Sequence, residues 1–294
     1  MNKAIKKAYV LSTYVFLCAK GGNKMTISLI GGDNRNIALS KILKENGYNV
    51  KMYGFENNTE STLEGLFDAN KIILGIPFSR DNETLLASNR ISIEYFCSLI
   101  KPNQTIYGGV FNDSFLAKIY SKDAKCIDFM KDEGFTILNV IPTVEGALSL
   151  AINNTDITIH NSKVLVIGYG RIGKLLSHEL KSMGARVYVS ARKDRDFAWI
   201  NVFGYNKQRY DNLIDEICKY DIIFNTVPTL ILDKTLLDNI NKNCLIIDLA
   251  SKPGGVDFDY TKEKGINVIW ALGLPGKVAS KTAAEYMYNV VIES

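Results

Sequence analysis

The run Gly168-Tyr-Gly170-Arg171-Ile172-Gly173 has the clearest chemical use of any in this chain of 294 residues. It follows Lys163-Val-Leu-Val-Ile167, an apolar stretch of strand size, and opens a segment with Ile172, Leu175, Leu176, Leu180 and Met183 at helical spacing. In that context G-x-G-x-x-G reads as a dinucleotide-binding turn. Gly168 permits the tight turn, Gly170 lets a pyrophosphate approach the backbone, and Gly173 lets helix and strand pack closely. The phosphates would lie at the helix N-terminus, where unpaired N–H groups and the dipole favour negative charge.

The strand end about twenty residues further on normally decides the cofactor, because NAD enzymes place a carboxylate there for the ribose. This chain instead carries Ser190-Ala-Arg192-Lys193. A guanidinium can bind a 2′-phosphate through charge-assisted bonds and stack on adenine. The expected cofactor is therefore NADP, with NAD less favoured. The competing reading is a solvated turn, since Asp194 and Asp196 follow closely.

Three further turns should border the same crevice. Asn225-Thr226-Val-Pro228 ends a strand where ribose and nicotinamide would lie. Asp248-Leu-Ala-Ser251-Lys252-Pro-Gly-Gly255 places a buried-strand aspartate beside a serine, a lysine and two glycines. Lys252 could hold a substrate carboxylate or donate a proton, and Asp248 is equally a base or a structural cap. Gly273-Leu-Pro-Gly276-Lys277 leads to Ser280-Lys281-Thr282, a glycine-rich entry to a helix with two lysines and two hydroxyls. Such an end suits an anion. In the first half, Gly31-Gly-Asp33-Asn-Arg35 has the strand–glycine–helix form without G-x-G-x-x-G, and is expected to contact substrate. Thr143 and Glu145 would face the crevice from a hinge. His160 and His178 are read as bland, one in a turn and the other on an outer helix face.

The elements that must hold these groups alternate strand, turn and helix. Strands are expected at 26–30, 49–54, 71–76 and 105–108, with another around Asp132–Leu138 after a helix ending at Gly134. Pro142–Ile152 reads as a connecting helix with proline in its first turn. Later strands are expected at 163–168, 186–190, 221–225, 244–248 and 267–271, and a final helix at 279–292. Alternation of this kind indicates βαβ units and parallel sheets. The chain thus reads as two Rossmann-like parallel-sheet α/β domains with an interdomain cleft. Residues 25–140 form the substrate domain and 141–275 the NADP domain. Residues 276–294 are a C-terminal helix expected to pack back on the first domain.

Composition narrows the class. The length suggests about two domains. Hydrophobic residues at 47% and charged ones at 22% are ordinary globular values that exclude disordered and fibrous classes. Lys+Arg 35 against Asp+Glu 31 gives a net charge of +4 with the signs interspersed, which offers no reason to expect nucleic acid as a partner. Cys18, Cys97, Cys126, Cys218 and Cys244 are odd in number, scattered and without C-x-x-C, which fits a reducing compartment rather than a disulfide framework. Two histidines do not make a histidine-rich metal site.

Residues 1–24 differ from the rest. Lys3, Lys6 and Lys7 precede an apolar run from Ala8 to Ala19, shorter than the about 20 residues that a spanning helix needs. The run has the outline of a signal peptide. However, Lys20-Gly-Gly-Asn-Lys-Met25 back-translates to codons that can contain AGGAGG shortly before ATG. This is the appearance of a bacterial ribosome-binding site read as protein, so translation is expected to start at Met25. Intact mass from the native gene checks this.

Taken together, Ile141-Pro-Thr-Val-Glu-Gly146, Gly168-Tyr-Gly-Arg-Ile-Gly173, Asn225-Thr-Val-Pro228, Asp248-Leu-Ala-Ser-Lys-Pro-Gly-Gly255, and Gly273-Leu-Pro-Gly276 with Lys281-Thr-Ala283 resemble the A-subunit family of bacterial dipicolinate synthases. The similarity runs from Thr26 nearly to the end and includes Gly31-Gly-Asp33 with Arg35. The resemblance implies an oxidoreductase of the mother-cell cytoplasm in a sporulating bacterium, working with the flavoprotein-like B-subunit of dipicolinate synthase. It also implies oxidation of dihydrodipicolinate, or its hydrated precursor, to dipicolinate. A homo-oligomer and no membrane contact are expected as well. In this setting Arg35, Ser251, Lys277, Lys281 and Thr282 are candidates for the substrate carboxylates, and Glu145, Thr143, Asp248 and Lys252 for the proton. A shikimate- or methylene-tetrahydrofolate-type dehydrogenase and a dinucleotide-sensing protein without catalysis are the other classes. The lysine cluster argues against the sensor, which needs no second cationic site.

Overall fold

The computed structural model describes residues 24–56 and 62–294, so the expectation for residues 1–24 lies almost wholly outside the described residues. The chain divides into two compact units, each treated by itself. One holds the described residues up to Leu138 together with Ser280–Ser294, and the other runs from Asn139 to Ala279.

The first unit is a five-stranded parallel sheet in the order β2-β1-β3-β4-β5. Its strands are β1 (Thr26–Ile30), β2 (Asn49–Tyr53), β3 (Lys71–Ile73), β4 (Thr105–Gly108) and β5 (Lys125–Asp128). Ile27, Leu29, Ile72, Ile73 and Ile106 are fully buried, as a sheet covered on both faces requires. The helix Asn34–Glu45 starts on Asp33, whose side chain accepts from the Arg35 N–H in a capping box with Asn36. Leu39 and Leu43 of that helix share a core with Ala284, Met287 and Val291 of the C-terminal helix Ser280–Glu293. The Lys71 ammonium donates to the carbonyls of Val291 (2.6 Å) and Ser294 (2.8 Å), which fixes the helix end.

One expected strand is a helix. Residues Glu133–Leu138 are helical because the Asp132 carboxylate accepts from the Phe135 N–H at 2.7 Å and caps the first turn. Gly134 therefore sits inside that turn and ends nothing. The strand that closes this edge of the sheet is β5, earlier in the chain. The expected strand 71–76 stops at Ile73.

The second unit is a six-stranded parallel sheet in the order β11-β10-β9-β6-β7-β8. It contains β6 (Lys163–Ile167), β7 (Arg186–Ser190), β8 (Asn206–Gln208), β9 (Ile222–Asn225), β10 (Leu245–Asp248) and β11 (Val268–Trp270). β9 and β10 are buried along their whole length. The helix Val140–Asn153 inserts Val140, Val144, Ala147 and Ala151 into the core of this unit. At Gly146 it meets the short helix Leu274–Val278 so closely that an added Cβ would lie 3.1 Å from the Leu274 Cβ. This packing keeps residues 276–279 in the second unit, so the C-terminal segment begins at Ser280 rather than 276. Among the described residues, the stretch Glu133–Asn153 is apolar and long enough to cross a membrane. It spans two helices; Val140, Val144, Ala147 and Ala151 of the second lie in a core, while Ile137, Leu138, Ile141 and Ile152 are exposed.

Candidate functional site

The turn between β6 and the helix Arg171–Ser182 is built around its glycines. Gly168 has φ +97°, and an added Cβ would lie 2.4 Å from Thr226 Oγ1. At Gly173 a Cβ would lie 2.1 Å from the Gly168 carbonyl oxygen, so a side chain would push the helix off the strand. Gly170 is different: a Cβ there would meet nothing within 4 Å, because the position faces open space. Gly170 is also the N-cap and, as a glycine, offers no side chain to cap the first turn of this helix. The turn is therefore tight on the protein side and open on the other, with helix-end donors available to an anion.

That open side is a cavity of about 770 Å³. Gly168, Gly170 and Arg171 form one edge, and Ser190, Arg192 and Lys193 form another after β7. Ser190 is 5% exposed. Lys174 and Arg195 add two cations that sequence reasoning missed, which sets five cationic side chains against the carboxylate of Asp196. The Arg195 Nε lies 3.6 Å from Asp196 Oδ1, and the Lys174 ammonium sits 5.7 Å from the centre of the Tyr169 ring. Burial pushes the Tyr169 hydroxyl up to about 12, so it stays protonated at neutral pH. Tyr169, Ala191, Tyr210, Val227 and Ile231 supply an apolar wall. A concave site with apolar walls and one sign of charge concentrates ligands of the opposite sign. The missed residues did leave signals. Lys174 follows Gly173 directly and lies three positions from Arg171, on the same helix face.

The turns after β9 and β10 are locked to one another. The Asn225 side-chain amide donates to Asp248 Oδ1 (2.8 Å) and to the Val227 carbonyl (3.0 Å). Asp248 is fully buried and also accepts from the N–H groups of Ala250 (3.0 Å) and Gly255 (2.8 Å). A Cβ on Gly255 would lie 2.2 Å from Asn225 Nδ2, so the loop can close only with glycine there. The Trp270 indole N–H donates to the Ala250 carbonyl at 3.0 Å. Ser251 and Lys252 stand exposed at the tip of this braced loop. The geometry thus gives Asp248 the work of a scaffold, with its acceptors committed inside the protein. Thr226 braces the glycine turn by donating to the Ile167 carbonyl at 2.9 Å, Ile172 packs against the core, and Pro228 is exposed.

The remaining candidates lie elsewhere. Thr143 donates to the Asn139 carbonyl at 2.9 Å, one helical turn back, and Glu145 is exposed on the same helix. Lys277 is exposed on the helix Leu274–Val278. Lys281 is exposed and Thr282 half-buried at the start of the C-terminal helix in the first unit. Arg35 is buried: its guanidinium donates to Asp33 (2.9 and 2.7 Å) and to the Ile76 carbonyl. It therefore organises its own turn rather than standing open to a carboxylate.

Two parallel-sheet units, one with a glycine turn opening on a cationic cavity, define a Rossmann-like protein of the dehydrogenase type. Residues 149–270 match the family model for shikimate / quinate 5-dehydrogenase, in line with that class. Residues 26–130 match the model for the N-terminal domain of the dipicolinate synthase A-subunit. The A-subunit of dipicolinate synthase from Bacillus subtilis (strain 168) is 34% identical over 284 residues, covering 91% of this chain and 94% of that protein. The crystal structure of the dipicolinate synthase A-subunit from Bacillus halodurans superposes with a TM-score of 0.79 at 27% identity, over 92% of this chain and 97% of that one. The corresponding crystal structure from Bacillus subtilis gives a TM-score of 0.78 at 31% identity, over 92% and 96%. The chain belongs to the A-subunit family of dipicolinate synthases.

Proposed function

We propose that this chain is an NADP-dependent oxidoreductase that aromatises dihydrodipicolinate, or its hydrated precursor, to dipicolinate. The observation that carries the cofactor half is the cationic cavity of about 770 Å³ beside an uncapped glycine turn. The substrate half rests on family membership. The shikimate-type match covers only the dinucleotide-binding unit, so it supports the cofactor and not shikimate as substrate.

In this reading the N–H groups after Gly170 hold the pyrophosphate, while Ser190, Arg192 and Lys193 take the 2′-phosphate. Lys174 and Arg195 add to the positive field. Arg192 offers paired N–H donors to phosphate and a flat face to adenine. When bound, the nicotinamide supplies the hydride acceptor. Turning the dihydropyridine ring into pyridine removes one hydride and one proton, and aromaticity favours that direction. The protein's contribution is placement. Lys252, held at the tip of the Asp248 loop with Ser251, and Lys277 pair with the ring carboxylates. Glu145, an exposed carboxylate, takes the proton. Asp248 acts on the geometry of Lys252 rather than on the proton itself.

The wider setting belongs to the same proposal: a flavoprotein-like B-subunit as partner, self-association, and action in the mother-cell cytoplasm during sporulation. Purified protein is incubated with enzymatically generated dihydrodipicolinate and NADP, with and without the B-subunit, and dipicolinate is read by ultraviolet absorbance. Formation well above the spontaneous rate is expected. A rate no higher than the spontaneous one in both arms would overturn the reading.

A further inference from the structure

Between Gly168 and Gly170 stands Tyr169, only 7% exposed and yet one of the residues lining the cavity of about 770 Å³. Its ring is fixed from two sides. The Tyr205 ring meets it edge-on at 6.5 Å, and the Lys174 ammonium sits 5.7 Å from its centre. A phenylalanine would make both contacts, so the hydroxyl is the part without a structural use. Among the described residues it forms no hydrogen bond. It is also not one of the sealed side-chain atoms left without a partner, which among the described residues are Asn139 Oδ1 and Ser177 Oγ. The hydroxyl therefore keeps an opening, and the space that Tyr169 lines is the cavity. A largely buried tyrosine usually pairs its hydroxyl, because a desolvated polar group left unmet is costly. Burial also keeps this one protonated, which leaves a donor in want of an acceptor.

The sheet register indicates which acceptor lies nearest. Ile167 of β6 pairs with Ser190 of β7, and the Gly168 N–H donates to the Ser190 carbonyl at 2.9 Å. Tyr169 thus leaves its strand beside Ser190-Ala-Arg192, on the side of β6 away from β9 and β10. Lys174, Arg192, Lys193 and Arg195 line the same cavity, so the acceptor suited to this edge is an anion. Asp196 is the carboxylate of this lining. It lies 3.6 Å from the Arg195 Nε and takes no hydrogen bond from Tyr169.

We propose that the Tyr169 hydroxyl donates to the 2′-phosphate of NADP, a neutral donor among the cations, and so helps to set NADP over NAD. The inference rests on the dinucleotide reading of the cavity and adds a specificity-determining residue to it. A hydrogen bond to a charged oxygen is among the stronger ones. Fixing the ring before the ligand arrives also lowers the ordering cost of binding.

Calorimetric titration of 2′,5′-ADP and 5′-AMP into the full chain isolates this end of the cofactor, because the two differ by the 2′-phosphate alone. Tyr169→Phe keeps the ring and removes the oxygen. It should weaken 2′,5′-ADP by roughly fivefold or more and leave 5′-AMP within about twofold, with the same contrast between NADP and NAD. The lost donor is neutral, so the loss should persist at high salt, where a loss caused by displaced cations would shrink. Tyr205→Phe removes a neighbouring hydroxyl that does not line the cavity and should change neither nucleotide. The role falls if Tyr169→Phe binds 2′,5′-ADP as well as the wild type does. It falls equally if both nucleotides weaken alike, which would mark a packing residue. If the wild type binds neither 2′,5′-ADP nor NADP, the cofactor reading itself fails and takes this role with it.

Discussion

Arg192 and Ser190 sit where a dinucleotide fold reads the ribose, and no carboxylate from that strand end lines the cavity. A charge-assisted bond contributes about 1.5–3 kcal/mol net. Arg192→Asp removes such bonds to a 2′-phosphate and adds repulsion, so it should weaken NADP by roughly 10- to 100-fold or more. It should leave NAD within a few fold, because NAD has no phosphate there. Calorimetric titration of both nucleotides into both proteins checks this, and an unchanged NADP preference would remove Arg192 from the assignment. Lys174→Ala and Arg195→Ala should have smaller effects of one kind: lower affinity at low salt and a shallower loss with added salt, since their contribution is long-range. Asp248 makes the opposite case. Asp248→Ala leaves the Asn225 amide and the N–H groups of Ala250 and Gly255 without their buried acceptor. At about 1–3 kcal/mol for an orphaned buried group, softened by water entering the gap, a loss of about 2–4 kcal/mol in urea unfolding is expected. A loss below about 1 kcal/mol would mean that the loop is held by other contacts.

At the scale of elements, the three glycines of the cofactor turn should separate stability from binding. Gly173→Ala forces a methyl group to within 2.1 Å of the Gly168 carbonyl, and helix and strand must part. Overpacking of this kind costs about 1–3 kcal/mol. Gly170→Ala meets open space and should change stability by less than about 1 kcal/mol, yet the methyl group occupies the surface that a pyrophosphate would approach. Thermal unfolding paired with NADP titration tells the two apart: Gly170→Ala should keep the fold and lose at least tenfold in affinity. The fold was most legible where polarity and periodicity agreed, as in β6 with its glycine turn and the helix Arg171–Ser182. It was least legible where short-range hydrogen bonds decided. Phe135, Thr136, Ile137 and Leu138 read as a strand because they are β-prone, and one carboxylate, Asp132, makes them a helix. β8 is three polar residues, Asn206-Lys-Gln208, with no hydrophobic signal; register with Tyr188–Ser190 makes it a strand. Likewise Arg35 looked like an anion binder from its charge alone, and only folding shows its guanidinium turned onto Asp33 and Ile76.

For the whole molecule, three thiols tie stability to alkaline pH. Burial pushes Cys97 up to about 11, and Cys126 and Cys244 up to about 12, from an ordinary thiol value of 9.0. Burial also raises the Tyr220 hydroxyl, which donates to the buried Gln208 side chain. Between the two values the unfolded chain releases these protons while the folded chain keeps them, so the folded state binds more protons and stability falls as pH rises. Below about pH 9 these groups are protonated in both states and contribute no slope. The urea midpoint should therefore be level from pH 7 to 8.5, decline from about 9, and keep declining toward 12. Cys97 and Cys126 belong to the first unit and Cys244 to the second, so the decline should reach both. NADP should offset it only in part. A ligand at 100 times its Kd stabilises the state that binds it by about 2.7 kcal/mol, and the glycine turn that would hold it belongs to the second unit, which carries Cys244 but neither Cys97 nor Cys126. Intrinsic fluorescence from Trp199 and Trp270, both in the second unit, follows that half. Hydrogen exchange of Leu29 and Ile72 amides follows the other. Saturating NADP is expected to move the first signal and leave the second nearly unchanged at pH 10, and equal protection of both would show that the units unfold as one.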